Sequence, residues 1–159
     1  MTDDLWYLSA QEVGALFRQR EVSALEIVQA MLGRIESLDP QLNAYITVTA
    51  EEALETARQR DAELAAGQDR GPLHGIPVAV KDLYDTAGIR TTSGSKILAN
   101  NVPSKDATSV AKLRDAGAII MGKTNLNEFA CGVTTENPHY GDTHNPWNPS
   151  CIPGGSNRA

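Results

Sequence analysis

The chain has 159 residues, of which 41% are hydrophobic and 21% are charged, and its formal net charge is −6. This composition predicts a soluble globular protein with a sizeable core and argues against a disordered chain. An acidic chain has no overall positive field for holding nucleic acid phosphates, so we expect no direct nucleic acid partner. The acidic start is unlike a secretory signal and no apolar run is long enough to span a bilayer, which predicts a cytoplasmic protein with no membrane partner.

Three capping-box patterns predict where helices begin, at Ser9–Glu12, Ser23–Glu26 and Thr49–Glu52. After the second box, apolar residues recur at spacings of three and four, which predicts a helix that ends near Asp39-Pro40. The third box opens a segment rich in alanine and charge, for which Gly67 is a plausible C′ residue.

Short apolar runs between the helices predict strands. The first is Ala44–Val48, and the second is Gly75–Val80, which ends in the charged pair Lys81-Asp82. A short helix over Ser109–Ala116 is followed by a third apolar run, Ala118–Met121. This alternation of helices and strands indicates an α/β layer architecture.

One motif fits a phosphate-binding formula but is set in the wrong context. Gly117–Thr124 matches G-x-x-x-x-G-K-[ST], in which the four central residues should form a loop around phosphate. Here those residues look like a strand, and the segment before Gly117 looks helical. The order helix, glycine, strand does not suit a phosphate cradle. A nucleotide-binding protein is therefore the least favoured of three functional hypotheses.

Three other features are ambiguous when each is taken alone. A lysine that ends an apolar strand, as Lys81 does, commonly returns its charge to solvent, whereas a buried lysine loses basicity and can act as a base near neutral pH. Asp82 either orients Lys81 or caps the turn after the strand. Two glycines before Ser156 allow unusual backbone conformations, but Gly-Gly-Ser also occurs in ordinary turns.

Taken in order, five segments of the chain resemble the amidase-signature family. The segments are residues 75–82, 122–129, 135–137, 145–147 and 153–156. Each segment alone is weak evidence, but all five in this order are specific to the family. The resemblance implies N-terminal helices plus part of a mixed central sheet flanked by helices. It also implies that residues 1–159 are the N-terminal portion of a single domain, mainly helical over 1–70 and strand-rich and catalytic over 71–159.

The resemblance also implies a catalytic site. Family members use a lysine, a bridging serine that follows a cis peptide, and a nucleophilic serine; Lys81 and Ser156 match the first two. The segment with Cys131 and Gly132 lies along the substrate pocket in this family, although a small buried thiol is an equally good interpretation of Cys131. No metal or other cofactor is implied.

The family signature breaks off after Ser156, where Asn157–Ala159 replaces its continuation. The nucleophile and the oxyanion hole belong to a downstream segment that this sequence does not contain, so we expect that the chain alone does not hydrolyse amides. A frameshift, a truncated gene and a deliberate fragment all produce such a pattern, and these alternatives stay open.

Two functions within the family remain to be distinguished. The first is an amidase that cleaves the carbon–nitrogen bond of small carboxamides. The second is the A subunit of glutamyl-tRNA amidotransferase, which frees ammonia from glutamine for partner subunits that handle ATP and tRNA. The segment Gly132–Gly141 looks more like stand-alone amidases. A homodimer is left open, and Cys131 and Cys151 are expected to be reduced thiols.

Overall fold

The computed structural model describes residues 2–154 and has four α-helices and three strands in those residues. The predicted α/β class is confirmed. In the part of the chain that is described, no helix has the length and apolarity needed to cross a membrane. The elements in chain order are a 3-10 helix Thr2–Tyr7, α1 Ala10–Arg18, α2 Ala24–Leu42, β1 Tyr45–Val48, α3 Ala50–Ala65, β2 Pro77–Lys81, a 3-10 helix Lys96–Leu98, α4 Thr108–Asp115, β3 Ile119–Thr124 and a 3-10 helix Glu128–Ala130.

The first two predicted capping boxes are confirmed. Before α1, Ser9 N–H donates to Glu12 Oε2 (2.7 Å) while Glu12 N–H donates to Ser9 Oγ (3.3 Å). Before α2, Ser23 N–H donates to Glu26 Oε2 (2.8 Å) and Glu26 N–H to Ser23 Oγ (3.1 Å). These contacts satisfy donors that have no acceptor within the helix.

The third capping box is wrong, although α3 does begin after Thr49. The Thr49 hydroxyl donates to Ile120 O (3.0 Å) and makes no cap bond to α3. The Thr49 backbone N–H donates to Met121 O (3.0 Å). Because Thr49 is buried beside β3, its hydroxyl satisfies a carbonyl of that buried strand.

Helix α2 ends later than the sequence predicts. It continues through Pro40 to Leu42 although proline cannot donate the usual backbone hydrogen bond. Asn43 closes the helix with a left-handed φ of 51°, and its N–H donates to Asp39 O (2.7 Å). The Asp39 carboxylate accepts the Ala44 N–H (2.7 Å), which joins the helix end to the chain entering β1.

The sheet is mixed, in the order β1-β3-β2. Strand β1 pairs antiparallel with β3. Where β2 and β3 begin, Ile119 N–H donates to Ile76 O (2.9 Å). At its far end, Asp82 N–H donates to Thr124 O (3.0 Å), so β2 and β3 run parallel. The carboxyl end of β2 therefore lies beside the carboxyl end of β3.

The chain divides into two compact units. Among the described residues, the first comprises residues 2–35, 49–78 and 111–121, and the second comprises residues 36–48, 79–110 and 122–154. The first unit holds the hydrophobic cluster, whose most buried members include Phe17, Ile27, Val28, Ala57 and Ile119. Gly75 packs against it so closely that a Cβ there would lie 2.6 Å from the Phe17 ring.

The second unit has a strongly polar interior. Asn137 shows how this interior is satisfied, because its Nδ2 donates to Gly94 O (2.9 Å) and to Leu126 O (2.8 Å). Gly94 has φ +67° and a Cβ there would lie 2.6 Å from Asn137 Nδ2. Wholly or nearly wholly buried polar residues of this unit include Asp82, Thr86, Thr91, Thr92, Ser95, Lys123 and Asn137.

Candidate functional site

Lys81 is the last residue of β2 and is partly buried. Its own carbonyl accepts the Tyr84 N–H (3.0 Å), so the chain turns immediately after the strand. In open α/β sheets, binding residues collect beyond the carboxyl ends of the strands. Lys81 therefore occupies the part of the sheet where a site residue is expected, and its catalytic role stays a prediction.

Asp82, the next residue, is wholly buried and fastens the segment of Thr92 to the end of β2. Its Oδ2 accepts the Thr92 N–H (2.9 Å) and the Thr92 hydroxyl (2.5 Å). Burial raises the pKa of the Asp82 carboxyl, while the two bonds from Thr92 and the charge of Lys123 oppose that rise. Asp82 thus holds together two stretches of chain around Lys81.

Ser93 connects the end of β2 to the 3-10 helix Glu128–Ala130. Its N–H donates to Asp82 O (2.9 Å), and its carbonyl accepts the Phe129 N–H (2.8 Å). Ser93 adopts a left-handed φ of 52°, which is unfavourable for a non-glycine residue and is held here by these two bonds. Two successive backbone hydrogen bonds therefore link the residue after Lys81 to the segment that contains Cys131.

The loop at residues 128–136 is organised around the Asn127 side chain. Its Nδ2 donates to Thr134 Oγ1 (3.2 Å) and Glu136 O (3.0 Å), and its Oδ1 accepts the Thr135 N–H (2.9 Å). A Cβ on Gly132 would lie 2.7 Å from Asn127 Cγ. This loop has three non-glycine residues with left-handed φ, which are Phe129, Ala130 and Thr135.

Cys131 and Gly132 are both exposed on that loop. Cys131 is a free thiol whose Sγ lies 3.7 Å from Phe129 O, and Cys151 is also free and exposed. The alternative that Cys131 is a small buried residue is wrong, because the tight turn around Asn127 directs it outward. Strained, exposed backbone of this kind is common in ligand-binding loops.

Ser95, Glu128 and His139 form a hydrogen-bonded group with the residue types of a hydrolytic triad. Ser95 Oγ donates to Glu128 Oε1 (2.6 Å), and His139 Nε2 contacts the same oxygen (3.1 Å). The Ser95 hydroxyl bond, followed by the charge and hydrogen bond of His139, lowers the pKa of Glu128. In a triad the serine contacts the histidine, which takes its proton, so this group is a structural tie and not a nucleophile.

Lys123, on the strand beside the one that carries Lys81, is a buried residue whose surroundings the sequence did not predict. Its side chain is wholly buried, and Nζ donates to Tyr84 O (2.6 Å), Thr86 Oγ1 (2.8 Å) and Thr91 Oγ1 (2.8 Å). Asp82 Oδ1 lies 3.8 Å away. The available signal was a lysine directly after a buried strand pattern, together with a hydroxyl-rich stretch at residues 86–95, because a buried ammonium needs acceptors.

The surroundings of Lys123 weaken its basicity. Burial lowers the pKa of Lys123 to about 8, even though the carboxylates of Asp82, Asp85 and Asp106 act in the opposite direction. Lys123 is therefore close to losing its proton in a mildly alkaline solution.

The phosphate-loop hypothesis has no support in this geometry. Gly117 follows α4 with φ +84°, its N–H donates to Arg114 O (2.9 Å), and a Cβ there would lie 2.9 Å from His74 Cδ2. The strand β3 follows at once, in the order the sequence predicts. The lysine of the formula is Lys123, whose three protons are already donated to protein oxygens.

Ser156, the second predicted catalytic residue, lies outside the described residues. Within residues 2–154, no three His, Cys, Asp or Glu side chains are grouped as ligands for a metal ion.

The amidase family model matches residues 26–157, and the chain belongs to that family. Among curated relatives it is 54% identical over 153 residues to the A subunit of glutamyl-tRNA(Gln) amidotransferase from Geobacter metallireducens, covering 96% of this chain and 31% of the relative. The corresponding subunit from Carboxydothermus hydrogenoformans is 52% identical over 153 residues, with 96% and 32% covered.

Solved structures show the same family. The peptide amidase from Stenotrophomonas maltophilia aligns with a TM-score of 0.87 and 38% identity, covering 94% of this chain and 32% of the peptide amidase. The chain thus spans about a third of the length of the relatives that it matches.

Proposed function

We propose that the protein cleaves the carbon–nitrogen bond of a carboxamide and that Lys81 is the base of the reaction. The observation that carries this proposal is the place of Lys81 at the carboxyl end of β2, in a chain that belongs to the amidase family. The links from Asp82 through Ser93 to Phe129 support it, because they make a rigid frame beside that lysine.

The mechanism uses Lys81 and Ser156 as a proton relay. Neutral Lys81 takes the proton of the Ser156 hydroxyl, which in turn takes the proton of a nucleophilic serine as that serine attacks the amide carbon. The relay returns a proton to the leaving nitrogen, which departs as ammonia or an amine. Water then releases the acid from the acyl-enzyme by the same relay.

We assign Cys131 and Gly132 to the wall of the substrate pocket. Their exposure supports this assignment, and so does the anchoring of their loop by Asn127 and by the Ser93–Phe129 hydrogen bond. A rigid, exposed backbone presents polar groups to an amide with little loss of entropy on binding. Replacement of Cys131 by a bulky residue, as in Cys131→Trp, should raise KM for the substrate more than it lowers kcat.

The 159-residue chain alone does not hydrolyse amides in this proposal, because Lys81 and Ser156 need a nucleophile and oxyanion donors that they do not supply. The test is an ammonia-release assay on a panel of small carboxamides. It compares the 159-residue chain alone with the natural-length protein, by which we mean the full polypeptide that contains these 159 residues. Release by the longer protein only is expected. Turnover by the chain alone, abolished by Lys81→Ala, would contradict this part.

Between the two forms of the activity, the comparisons favour glutamine hydrolysis as an amidotransferase A subunit. The curated relatives with that name are 52% and 54% identical to this chain, against 38% for the peptide amidase structure. This reverses the preference that Gly132–Gly141 suggested. Glutamine hydrolysis that rises when the partner subunits are added supports this form, whereas rapid hydrolysis of other carboxamides without partners supports a stand-alone amidase.

A further inference from the structure

We propose that Lys123 is a positioning residue for Lys81, acting through a buried clamp that it forms with Asp82, Thr86 and Thr91. The inference rests on the proposed role of Lys81 as a base. It assigns a function to a second lysine, which lies on the neighbouring strand.

The clamp starts with the three bonds of the Lys123 ammonium. Its partners, Tyr84 O, Thr86 Oγ1 and Thr91 Oγ1, all belong to the stretch that follows Lys81 in the chain. Each threonine hydroxyl directs its own hydrogen elsewhere: Thr86 Oγ1 donates to Tyr84 O (3.0 Å) and Thr91 Oγ1 to Ile89 O (3.1 Å). Both therefore present lone pairs to Lys123, and the group accepts a charged lysine without rearrangement.

Tyr84 joins this clamp directly to Lys81. Its carbonyl accepts the Lys123 ammonium while its N–H donates to Lys81 O (3.0 Å). Lys123 therefore fixes the turn that closes on the backbone of Lys81.

Asp82 supplies the second half of the clamp. Its Oδ2 is held by Thr92, whereas its Oδ1 is buried and has no hydrogen-bond partner among the described residues. That oxygen lies 3.8 Å from Lys123 Nζ, so the positive charge of the lysine compensates the negative charge of the carboxylate. The backbone of Asp82 is fixed as well, by Thr124 on one side and Ser93 on the other. The residue next to Lys81 is thus held at its side chain, its N–H and its carbonyl.

A buried ion pair is a poor way to stabilise a fold, because desolvation of the two charges offsets most of their attraction and well-packed apolar residues often stabilise a protein as much. An ion pair does specify geometry, since its hydrogen bonds fit one arrangement only. Lys123 cannot touch a substrate itself, because its side chain is wholly buried and its three protons are engaged. Its effect on the reaction must therefore pass through the backbone that presents Lys81.

The test compares Lys123→Met with Arg60→Met in the natural-length protein. Arg60 is a matched control, because it is also a buried cation in an ion pair (3.0 Å to Glu63) but belongs to the first unit, whereas the clamp belongs to the second. For Lys123→Met we expect kcat to fall about 100-fold, within the range that misplacement of catalytic groups produces, with KM changed less than about threefold. Arg60→Met should leave both constants within about threefold of wild type.

A second set of variants keeps the test decisive if Lys123→Met does not fold. Thr86→Val and Thr91→Val each remove one acceptor while preserving shape, and each should lower kcat about tenfold with little change in KM, in line with the loss of one positioning contact. Hydrogen exchange of the Tyr84 and Thr92 amides should accelerate in the same variants. The inference is overturned if Lys123→Met folds and its kcat is within twofold of the kcat of Arg60→Met. If Lys123→Met does not fold, the same result for both valine variants overturns it.

The outcomes also separate this inference from the proposed function. An inactive Lys81→Ala together with an active Lys123→Met contradicts the positioning role alone. If Lys81→Ala keeps wild-type turnover, the base assignment fails and the positioning role fails with it.

Discussion

The carboxylate of Asp82 and the ammonium of Lys123 face each other at 3.8 Å, and both side chains are wholly buried. They come from the ends of the two parallel strands, since Asp82 follows β2 and Lys123 is the penultimate residue of β3. This pair links the strand that carries Lys81 to the strand beside it, and the stretch at residues 84–93 is ordered around it. Burial opposes the charge on both partners, so the pair is sensitive to pH.

The pH dependence of stability should reveal the titration of Lys123. Its folded pKa of about 8 lies below the ordinary value of 10.5, so between these values the unfolded chain binds more protons than the folded one. The free energy of unfolding therefore rises with pH across this window, and the gain is lost as the pH falls through 8. Urea unfolding should show a rise of roughly 2 to 3 kcal/mol that Lys123→Met lacks. If the free energy of unfolding rose equally with pH in the wild type and in Lys123→Met, this prediction would be contradicted.

Replacement of Gly94, in the polar interior of the second unit, should destabilise the protein more than replacement of Gly88. Gly94→Ala places a methyl group 2.6 Å from Asn137 Nδ2 at φ +67°, whereas Gly88→Ala, at φ +78°, meets nothing within 4 Å. Both changes incur left-handed strain of about 1 kcal/mol or more, but only Gly94→Ala adds a steric clash. We expect Gly94→Ala to be the less stable variant by about 1 to 3 kcal/mol in urea unfolding. Equal losses would show that the Asn137 contact is unimportant.

Substitutions at Thr49 distinguish a core hydrogen bond from a helix cap. If Thr49 capped α3, Thr49→Asp would be tolerated, because aspartate is a strong N-cap residue. In the structure its hydroxyl donates to Ile120 O, which a carboxylate cannot do. Thr49→Asp should therefore lower the free energy of unfolding by about 2 kcal/mol or more, while Thr49→Ser, which keeps the donor, should lose about 1 kcal/mol or less. A stable Thr49→Asp protein in thermal or urea unfolding would restore the cap interpretation.

The sequence predicts local structure well wherever the signal is local. Ser9 and Ser23 cap helices because their partners lie three residues on, and β2 ends at Lys81 as its apolar pattern indicates. The two failures have different causes. Thr49 donates to a partner distant in the chain, Ile120 on β3, instead of capping α3. The end of α2 is a local error, because Asn43 and Asp39 close its last turn beyond Pro40.

The candidate site shows the same division. Lys81 is recognisable because an ordered set of motifs marks its position. Lys123 is not, because its partners Tyr84, Thr86 and Thr91 lie more than 30 residues earlier in the chain and only the fold brings them together. The signals in the sequence were a lysine directly after a buried-strand pattern and a hydroxyl-rich stretch at residues 86–95, and neither says which residues meet.

The central claim is that Lys81 is the base of an amide hydrolase, and its most direct test is kcat for Lys81→Ala in the natural-length protein, measured by ammonia release at saturating glutamine. Loss of a general base in a proton relay predicts a fall of about 10³-fold or more, with folding unchanged by circular dichroism. A kcat within threefold of wild type would contradict the account.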